Sequence, residues 1–351
     1  MRLKTMAQQW IKYRSRQLLL HKAIRSPDFN SPTVLTSDPW EYVDLWMRRA
    51  NQSDAAFYWK QAHHFYDATQ GLPATSAPLT AYYSILNATK ALLLVCGIKF
   101  SDEHGVTGYT RPGPTSLTNE MVRIKTGGVL AALCSHLKEP HPADDYSLKD
   151  VLYNLPFIHR AFKLTYSSTT ELFIPIKQPR FVRKSGSYEA WFAADIDGEQ
   201  YQNNHTIRKL DAKFELDSGL PNQWTIRLKK RFRWYTSADK RESNLEQLAA
   251  YHQRVRRYTS YIRGTTRLWY IKRSGVVNSV PRQPIALMYS AMHRLSELAR
   301  YSPISLEKHF ACQHNWLLTE FIALTLDQFM DEIASEITGH DFMITGLRAN
   351  W

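Results

Sequence analysis

The sequence has little of what marks several large protein classes. Its longest apolar run, ALLLVC at residues 91–96, is far shorter than the roughly eighteen residues of a membrane-spanning helix. No apolar segment and small-residue cleavage site follow the basic N-terminus, so it lacks the form of a secretory signal. Cysteine occurs only three times, widely spaced, which argues against a disulfide framework and favours a reducing cytoplasm.

Common cofactor and metal motifs are missing as well. The chain contains no GxxxxGK[ST], GxGxxG, HExxH or CxxC motif. Phosphate loops, dinucleotide-binding folds, zinc-dependent proteases and zinc ribbons therefore lack their first requirement. We expect no cofactor, no metal ion and no membrane association.

Positive charge, by contrast, is abundant and unevenly spread. The formal net charge is +13, and residues 204–273 contain seventeen Lys or Arg against six Asp or Glu. Aromatic residues lie between these cations, a mixture typical of RNA or single-stranded DNA surfaces, where cations neutralise phosphates and rings stack on bases. The alternative is a sheet with a solvated basic face and an aromatic core. The candidate nucleic-acid-binding residues are Arg227, Lys229, Lys230, Arg231, Arg233, Trp234, Arg254, Arg256, Arg257, Arg263, Arg267, Lys272 and Arg273.

The periodicity of apolar residues and the changes in composition along the chain predict an α+β protein in four parts. Residues 1–36 form a basic N-terminal helix and loop, and residues 37–163 are helical. Residues 164–282 alternate β-branched and aromatic residues and form a basic β-rich part. Residues 283–351 return to helices that pack on the helical part, so the β-rich part is a small insertion in a mostly helical core.

One helix start is clearly marked. In SDPWEYVDLWMRR, Ser37 or Asp38 can cap the helix, Pro39 suits its first turn and Glu41 follows. The sequence predicts a helix from Pro39 onward.

The stretch LTAYYSILNATKALLLVCG predicts a helix that is apolar on most of its circumference. At 100° per residue, Tyr83, Asn87, Lys90 and Leu94 fall within about 60° of one another. A buried amide and ammonium need partners, because leaving them unpaired costs about 1–3 kcal/mol for the amide and more for the charge. They either pair inside the fold or line a site or subunit interface.

A second helix, after Pro284, has the same design. His293, Glu297 and Arg300 share one face with Ser290. The alternative is a solvated stripe with a Glu–Arg pair three residues apart. Two helices with narrow polar stripes could face each other, which the sequence leaves open.

A loop histidine completes the set of candidate catalytic residues. His104 shares the segment KFSDEHGV with Asp102 and Glu103, which could raise its pKa, and Gly105 frees the backbone beside it. An ordinary loop histidine is the alternative. The six candidates are Asn87, Lys90, His104, His293, Glu297 and Arg300.

The segment AYYSILNATKALLLVCGIKFSDEHGV resembles the signature helix and His-Gly loop of HEPN-type helical domains. The order of DPWEYVDLW, QAHHFYDAT, YYSILNATKALLL, HGVTGY and LSELARYSP is similar to that of the YaaC-like family, over roughly residues 37–340. The resemblance implies a HEPN-like helical core. Active HEPN proteins are metal-independent endoribonucleases, typically dimers, found in toxin–antitoxin or phage-defence systems.

In the HEPN motif, four to six residues separate an arginine from a following histidine, on a late helix. Here only Arg14 or Arg16 with His21 has that spacing, at the N-terminus, and Arg300 is followed by no histidine before His309. This departure from the pattern leaves catalysis open.

Together these observations predict a cytoplasmic nucleic-acid-binding protein, with RNA as the first candidate ligand, of a bacterial defence or toxin–antitoxin type. In a metal-independent endoribonuclease, His104 or His293 would move protons, Lys90 and Arg300 would hold phosphate, and Asn87 would orient a hydroxyl. The alternative is a non-catalytic scaffold or accessory subunit that binds a protein partner of the same system. A homodimer is a candidate state.

Overall fold

The computed structural model of the protein describes residues 8–31, 33–139, 143–220, 222–264 and 268–344. Its α-helices are α1 (Pro39–Arg49), α2 (Ser53–Thr69), α3 (Ala77–Val95), α4 (Val129–His136), α5 (Leu148–Tyr153), α6 (His159–Thr165), α7 (Asn204–Arg208), α8 (Arg241–Arg256), α9 (Pro284–Tyr301), α10 (Pro303–Phe310) and α11 (Asn315–Thr338). Its strands are β1 (Gln8–Trp10), β2 (Lys12–Tyr13), β3 (Arg16–Gln17), β4 (Val34–Thr36), β5 (Val106–Thr110), β6 (Glu120–Ile124), β7 (Asp144–Ser147), β8 (Phe173–Lys184), β9 (Glu189–Ile196), β10 (Phe214–Leu216), β11 (Thr225–Leu228), β12 (Phe232–Arg233), β13 (Thr259–Ile262), β14 (Leu268–Lys272) and β15 (Phe342–Ile344).

The chain divides into two compact units. Unit 1 is formed by the described residues of Met1–Pro32 and Glu171–Val277. Unit 2 is formed by those of Thr33–Thr170 and Asn278–Trp351.

Unit 1 is built on an antiparallel sheet that has eight strands among the described residues. The order is β10-β11-β9-β8-β14-β13, with β1 paired to β8 and β12 paired to β9. The register of β8 on β9 shifts between Lys177 and Arg180, where Gln178 has a φ of 49°. An extra residue of this kind bends its strand and increases the local twist, which curls the sheet.

Each face of this sheet has its own apolar cluster. One cluster includes Phe181, Phe192 and Ile271, and α8 adds Leu248 and Val255 to it. The second is smaller and consists of Val182, Trp191 and Ala193, with Trp10 and Leu220 packed against it. Successive side chains of a strand point to opposite faces, so these neighbouring residues serve two different cores.

The predicted fold class is wrong. The protein is about 45% helical and 20% strand, and the eight-stranded curled sheet is too large for a small insertion in a mostly helical HEPN-like core. Strands outside residues 164–282 also add to the β content: β1 belongs to the large sheet, and β5, β6 and β7 form a sheet of their own.

The predicted N-terminal helix is wrong for a specific reason. Among residues 8–31 the chain forms β1, β2 and β3, and β2 and β3 are joined by Arg14 and Ser15, whose φ values are 47° and 68°. Two positive φ values are the requirement of a tight hairpin turn, which Asn and Gly normally meet. After the turn, Leu18 and Leu20 are buried while Leu19 is exposed, the two-residue period of an extended chain.

Unit 2 has α3 at its centre. This helix packs against α2, α4, α9 and α11, and its side chains are buried over most of its length. The antiparallel sheet β5-β6-β7 lies against α9, and β4 pairs with β15 in parallel. The predicted start of α1 is confirmed: Asp38 accepts hydrogen bonds from the backbone of Trp40 and Glu41, and Pro39 occupies the first turn.

Candidate functional site

Aromatic and imidazole rings meet where α3, α9 and the loop before β5 come together in unit 2. The hydroxyl of Tyr82 lies 2.5 Å from Nδ1 of His104 and 3.3 Å from the hydroxyl of Tyr289. The ring centres of Tyr82 and His293 are 4.9 Å apart, and those of His104 and His293 are 5.4 Å apart. Tyr82 thus connects the loop histidine to Tyr289 and His293 of α9, although Tyr82 is not part of the polar stripe that Tyr83, Asn87 and Lys90 form on α3.

We assign the tautomer of His104 from the hydrogen bonds of this cluster. The hydroxyl of Tyr289 donates to the backbone carbonyl of His104 at 3.0 Å, so its oxygen is left to accept from Tyr82. Since the Tyr82 proton is used in that way, the Tyr82 oxygen accepts from Nδ1–H of His104. Nε2 of His104 therefore carries the lone pair and can act as a base.

The backbone around His104 is locked to the start of α4. The amide of Val129 donates to the carbonyl of Glu103 at 2.8 Å, and that of Leu130 donates to the carbonyl of His104 at 3.1 Å. Gly105 follows with a φ of +77°, and a Cβ there would lie 2.8 Å from the Leu130 nitrogen. Only glycine meets both requirements, which explains the His-Gly pair.

Three cations lie within electrostatic reach of the imidazole of His104, which is exposed. Burial of part of the ring lowers its pKa below the usual 6.5, and Lys90 lowers it further, with smaller contributions from Lys125 and Arg300. Glu297 acts in the opposite direction. The ring is therefore neutral near pH 7 and lies in a positive field that suits an anionic ligand.

The charge of Lys90 on the apolar helix α3 is stabilised by one carboxylate and two aromatic rings. Its Nζ lies 3.1 Å from the exposed carboxylate of Asp102. Nζ also lies 5.2 Å from the ring centre of Tyr58 and 5.9 Å from that of Phe100, so two ring faces support the charge.

His293 differs from His104 in that its side chain is buried. Burial, followed by the nearby charges of His104 and Arg294, lowers the pKa of His293 to about 3. Its Nδ1 has no hydrogen-bond partner among the described residues and lies 3.9 Å from a carboxylate oxygen of Glu297. A neutral ring behind Tyr82 can position its neighbours, but it cannot supply a proton as imidazolium.

A buried ionic network supports this side of α9. Arg294 donates to Glu120 at 3.1 Å through Nε, to Glu297 at 3.1 Å and to Thr110 at 2.8 Å. The second carboxylate oxygen of Glu120 is 3.0 Å from Nε2 of His309. The sequence paired Glu297 with Arg300, whereas the structure pairs it with Arg294, which sequence reasoning missed.

A close approach of the backbone makes that network possible. A Cβ on Gly108 in β5 would overlap the side chains of Arg294 and Glu297. Arg294 could have been found from the sequence, because it is a charged residue within a largely apolar stretch of α9.

Two other candidates have different surroundings. The amide of Asn87 donates to the backbone carbonyl of Tyr83 at 2.7 Å, one turn earlier in α3. Arg300 is exposed near the end of α9, with its guanidinium 4.9 Å from the ring centre of Tyr301. The structure therefore brings Lys90, His104, His293, Glu297 and Arg300 into one neighbourhood, while Asn87 bonds within its own helix.

The N-terminal residues with HEPN-like spacing do not share a helix. Arg14 and Arg16 lie in the β2–β3 hairpin. His21 is buried and packs edge-on against Phe29 and His252 in unit 1.

The predicted nucleic-acid-binding residues of unit 1 fall into three groups by exposure. Six are exposed: Lys229, Lys230, Arg231, Arg233, Arg254 and Arg257. Four are half-buried: Arg227, Arg263, Lys272 and Arg273. Trp234 and Arg256 are buried, and Arg267 lies outside the described residues.

Several of these residues already have partners inside unit 1. Arg256 donates to the carbonyls of Thr259 and Lys22, so it is a structural residue rather than part of a surface. Arg227 pairs with Glu215 at 2.8 Å, and Arg231 pairs with Glu189 at 2.6 Å.

Four of the other exposed cations, together with Lys213, form what we call the basic turn surface: Lys213, Lys229, Lys230, Arg254 and Arg257. The amide of Lys229 donates to the carbonyl of Lys213 at 2.8 Å. The hydroxyl of Tyr251 on α8 donates to the carbonyl of Lys230 at 2.7 Å, and Arg254 lies within electrostatic reach of that hydroxyl. The turn after β11 is thus anchored to the helix that carries Arg254.

None of the described helices has the length and apolarity needed to cross a membrane. Within the described ranges, no group of three or more His, Cys, Asp or Glu side chains could hold a metal ion.

Comparison with known proteins identifies one family. The model of the YaaC-like proteins matches residues 14–337, nearly the whole chain. No match was found among curated proteins or among solved structures. The chain belongs to the YaaC-like family.

Proposed function

We propose that the protein binds RNA and cleaves its backbone at His104. The observation that supports this most strongly is an exposed histidine whose Nδ1 lies 2.5 Å from the Tyr82 hydroxyl and whose pKa is lowered by burial and by the charges of Lys90, Lys125 and Arg300. A neutral imidazole among cations supplies a base and a phosphate-binding field in one place.

The chemistry follows from the free Nε2 of His104. Nε2 takes the proton of a ribose 2′-hydroxyl, and the 2′-oxygen attacks the adjacent phosphorus. The bond from phosphorus to the 5′-oxygen breaks, which leaves a 2′,3′-cyclic phosphate and a 5′-hydroxyl that takes its proton from water. Lys90, Lys125 and Arg300 stabilise the charge that builds on the phosphoryl oxygens.

The basic turn surface supplies binding away from the reacting groups. Its cations are exposed, so each phosphate that they contact releases counterions and makes binding sensitive to salt. We expect RNA affinity to fall steeply between about 50 and 200 mM salt. Binding through an apolar protein groove would change little over the same range.

The second candidate is a non-catalytic binding protein that docks a partner. It is favoured by the buried state of His293 and by the pairing of Glu297 with Arg294, because both groups are then occupied within unit 2. On this alternative the positive field around His104 binds an anion without any reaction.

A cleavage assay separates the two. Labelled single-stranded RNA of mixed sequence is incubated with the full chain in EDTA, together with His104→Ala and His64→Ala. His64 is an exposed histidine on α2 and serves as the matched control. Cleavage by wild type and His64→Ala but not by His104→Ala supports the proposal. Binding without cleavage by all three proteins supports the non-catalytic alternative.

A further inference from the structure

Unit 1 contains a cavity that the cleavage proposal does not use. Its volume is about 360 Å³, at the lower end of the range for small-molecule sites. The wall is formed by residues 9–14, Arg183, residues 234–237, Arg241 and Asn244. All of these residues belong to unit 1.

The side chains of this wall are of two main kinds. Four have aromatic rings: those of Trp10, Tyr13 and Tyr235 are half-buried, and that of Trp234 is buried. Four are cations, those of Lys12, Arg14, Arg183 and Arg241. The described lining includes no carboxylate, so the positive charge is not cancelled within the wall.

The aromatic part of the wall is held in place before any ligand arrives. Asn244 on α8 accepts a hydrogen bond from the amide of Tyr235 at 2.8 Å and donates to its carbonyl at 2.7 Å. The ring of Tyr235 packs against Tyr188, with centres 5.0 Å apart. Trp10 belongs to β1, which pairs with β8, and its ring lies 5.1 Å from the guanidinium carbon of Arg180.

The cationic part of the wall is available to a ligand. Lys12, Arg14 and Arg241 are exposed. Arg183 donates to the side-chain oxygen of Gln9 at 2.9 Å, a neutral partner that leaves its charge uncompensated. Among the described residues, none of the four cations forms an ion pair with a carboxylate.

We propose that this cavity binds a nucleotide, with the planar base against the half-buried rings of Trp10, Tyr13 and Tyr235 and the phosphate among the cations. Stacking on aromatic rings accepts any base, and guanidinium groups match phosphate geometry, so the two halves of the wall suit the two halves of one ligand. The nucleotide can be free or part of an RNA strand. The inference does not depend on cleavage at His104, because no residue is shared between the two sites.

Calorimetric titration of the full chain tests whether both halves of the ligand matter. The probes are AMP, UMP, adenosine and ribose 5-phosphate. We expect the two nucleotides to bind at least ten times more tightly than adenosine, which lacks phosphate, and than ribose 5-phosphate, which lacks a base. Equal binding of ribose 5-phosphate and AMP, or no binding of either nucleotide at millimolar concentration, would overturn the proposal.

Variants connect the binding to this cavity. Trp10→Leu keeps an apolar side chain but removes the ring, and Arg241→Ala removes an exposed cation. Each should weaken AMP binding at least tenfold, whereas Arg208→Ala, an exposed arginine on α7 in the same unit, should leave it unchanged. Unchanged AMP affinity in both cavity variants would contradict the assignment.

A competition experiment distinguishes the source of the nucleotide. A short 5′-phosphorylated oligoribonucleotide is titrated with and without saturating AMP. Loss of oligonucleotide affinity in AMP indicates that the cavity holds a nucleotide of the strand. Unchanged oligonucleotide affinity indicates that the cavity binds a free nucleotide and that the strand binds elsewhere. In either case the proposal also requires that Trp10→Leu and Arg241→Ala weaken AMP binding.

Discussion

The hydroxyl oxygen of Tyr82 lies 2.5 Å from Nδ1 of His104 and joins a helix of unit 2 to the loop that carries the candidate base. The Tyr289 hydroxyl closes the chain by donating to the His104 carbonyl. With the assigned tautomer, Nε2 is the basic nitrogen, and in the proposed reaction the two tyrosines are positioning residues.

Tyr82→Phe should lower the rate of RNA cleavage by about ten- to a hundredfold, because Nδ1 loses the oxygen that accepts its proton and the reactive tautomer is no longer favoured. Single-turnover cleavage measures the effect, and the melting temperature shows whether the fold survives. RNA affinity should stay close to that of wild type. A variant that cleaves at the wild-type rate would remove Tyr82 from the positioning of His104.

The charge on Lys90 should be visible in the pH dependence of cleavage. The pKa of His104 lies below 6.5, chiefly through burial and then through Lys90, so the rate should rise with pH along an acid limb whose midpoint lies below pH 6.5. Lys90→Met keeps the length of the side chain and removes its charge, which should move the acid limb of the pH–rate profile to higher pH. An acid limb at the same pH in both proteins would show that Lys90 has no electrostatic influence on the reacting base.

A second histidine should make the stability of the protein depend on pH. Burial alone disfavours the imidazolium of His136, but hydrogen bonds with Cys96 and Glu336 outweigh it and raise the pKa of His136 to about 9. The distance from Nε2 of His136 to Glu336 is 2.9 Å. A pKa above that of the unfolded chain means that the stabilisation is complete below pH 6.5 and is lost as the pH rises through about 9.

The contribution is on the order of up to about 3 kcal/mol. Urea unfolding of wild type at pH 6.5 and pH 9.5 measures it, and His136→Gln should show a much weaker loss over the same range. A decline of equal size in the variant would assign the pH dependence to other groups.

Two glycines of the signature segment allow a matched comparison. Gly97 and Gly105 have φ values of +64° and +77°, but only Gly105 has atoms close to the position of an added Cβ. Gly97→Ala should cost about 1–2 kcal/mol for the left-handed backbone alone. Gly105→Ala should cost about a further 1–3 kcal/mol, because its Cβ meets the backbone of α4. Equal losses in urea unfolding would show that the loop is not locked to α4.

The sequence identified the helices that have local signals and missed the strands that lack them. Asp38 and Pro39 mark the start of α1, and the structure confirms that start. The β2–β3 hairpin turns at Arg14 and Ser15, and neither is the Asn, Asp or Gly by which such a turn is recognised in a sequence. The prediction therefore placed β1 in a helix and underestimated the size of the sheet. For these two reasons the expected HEPN-like core is wrong.

The candidate site was predictable only in part. Polar residues on apolar helices identified Lys90 and His293, because burial forces such groups to find partners. Exposure and tertiary pairing were not predictable: His293 is buried while His104 is exposed, and Glu297 pairs with Arg294 instead of Arg300. These outcomes depend on how α9 packs against β5, which spacing along the chain does not specify.

The central claim is that His104 takes the proton of a ribose 2′-hydroxyl. Its most direct test is an oligodeoxynucleotide with a single internal ribonucleotide, incubated with the full chain in EDTA, with the products analysed by mass spectrometry. We expect one cut, directly after the ribonucleotide, with a 2′,3′-cyclic phosphate on the 5′ fragment, and no cut with His104→Ala. An uncut oligonucleotide, or the same cut made by His104→Ala, would contradict the claim.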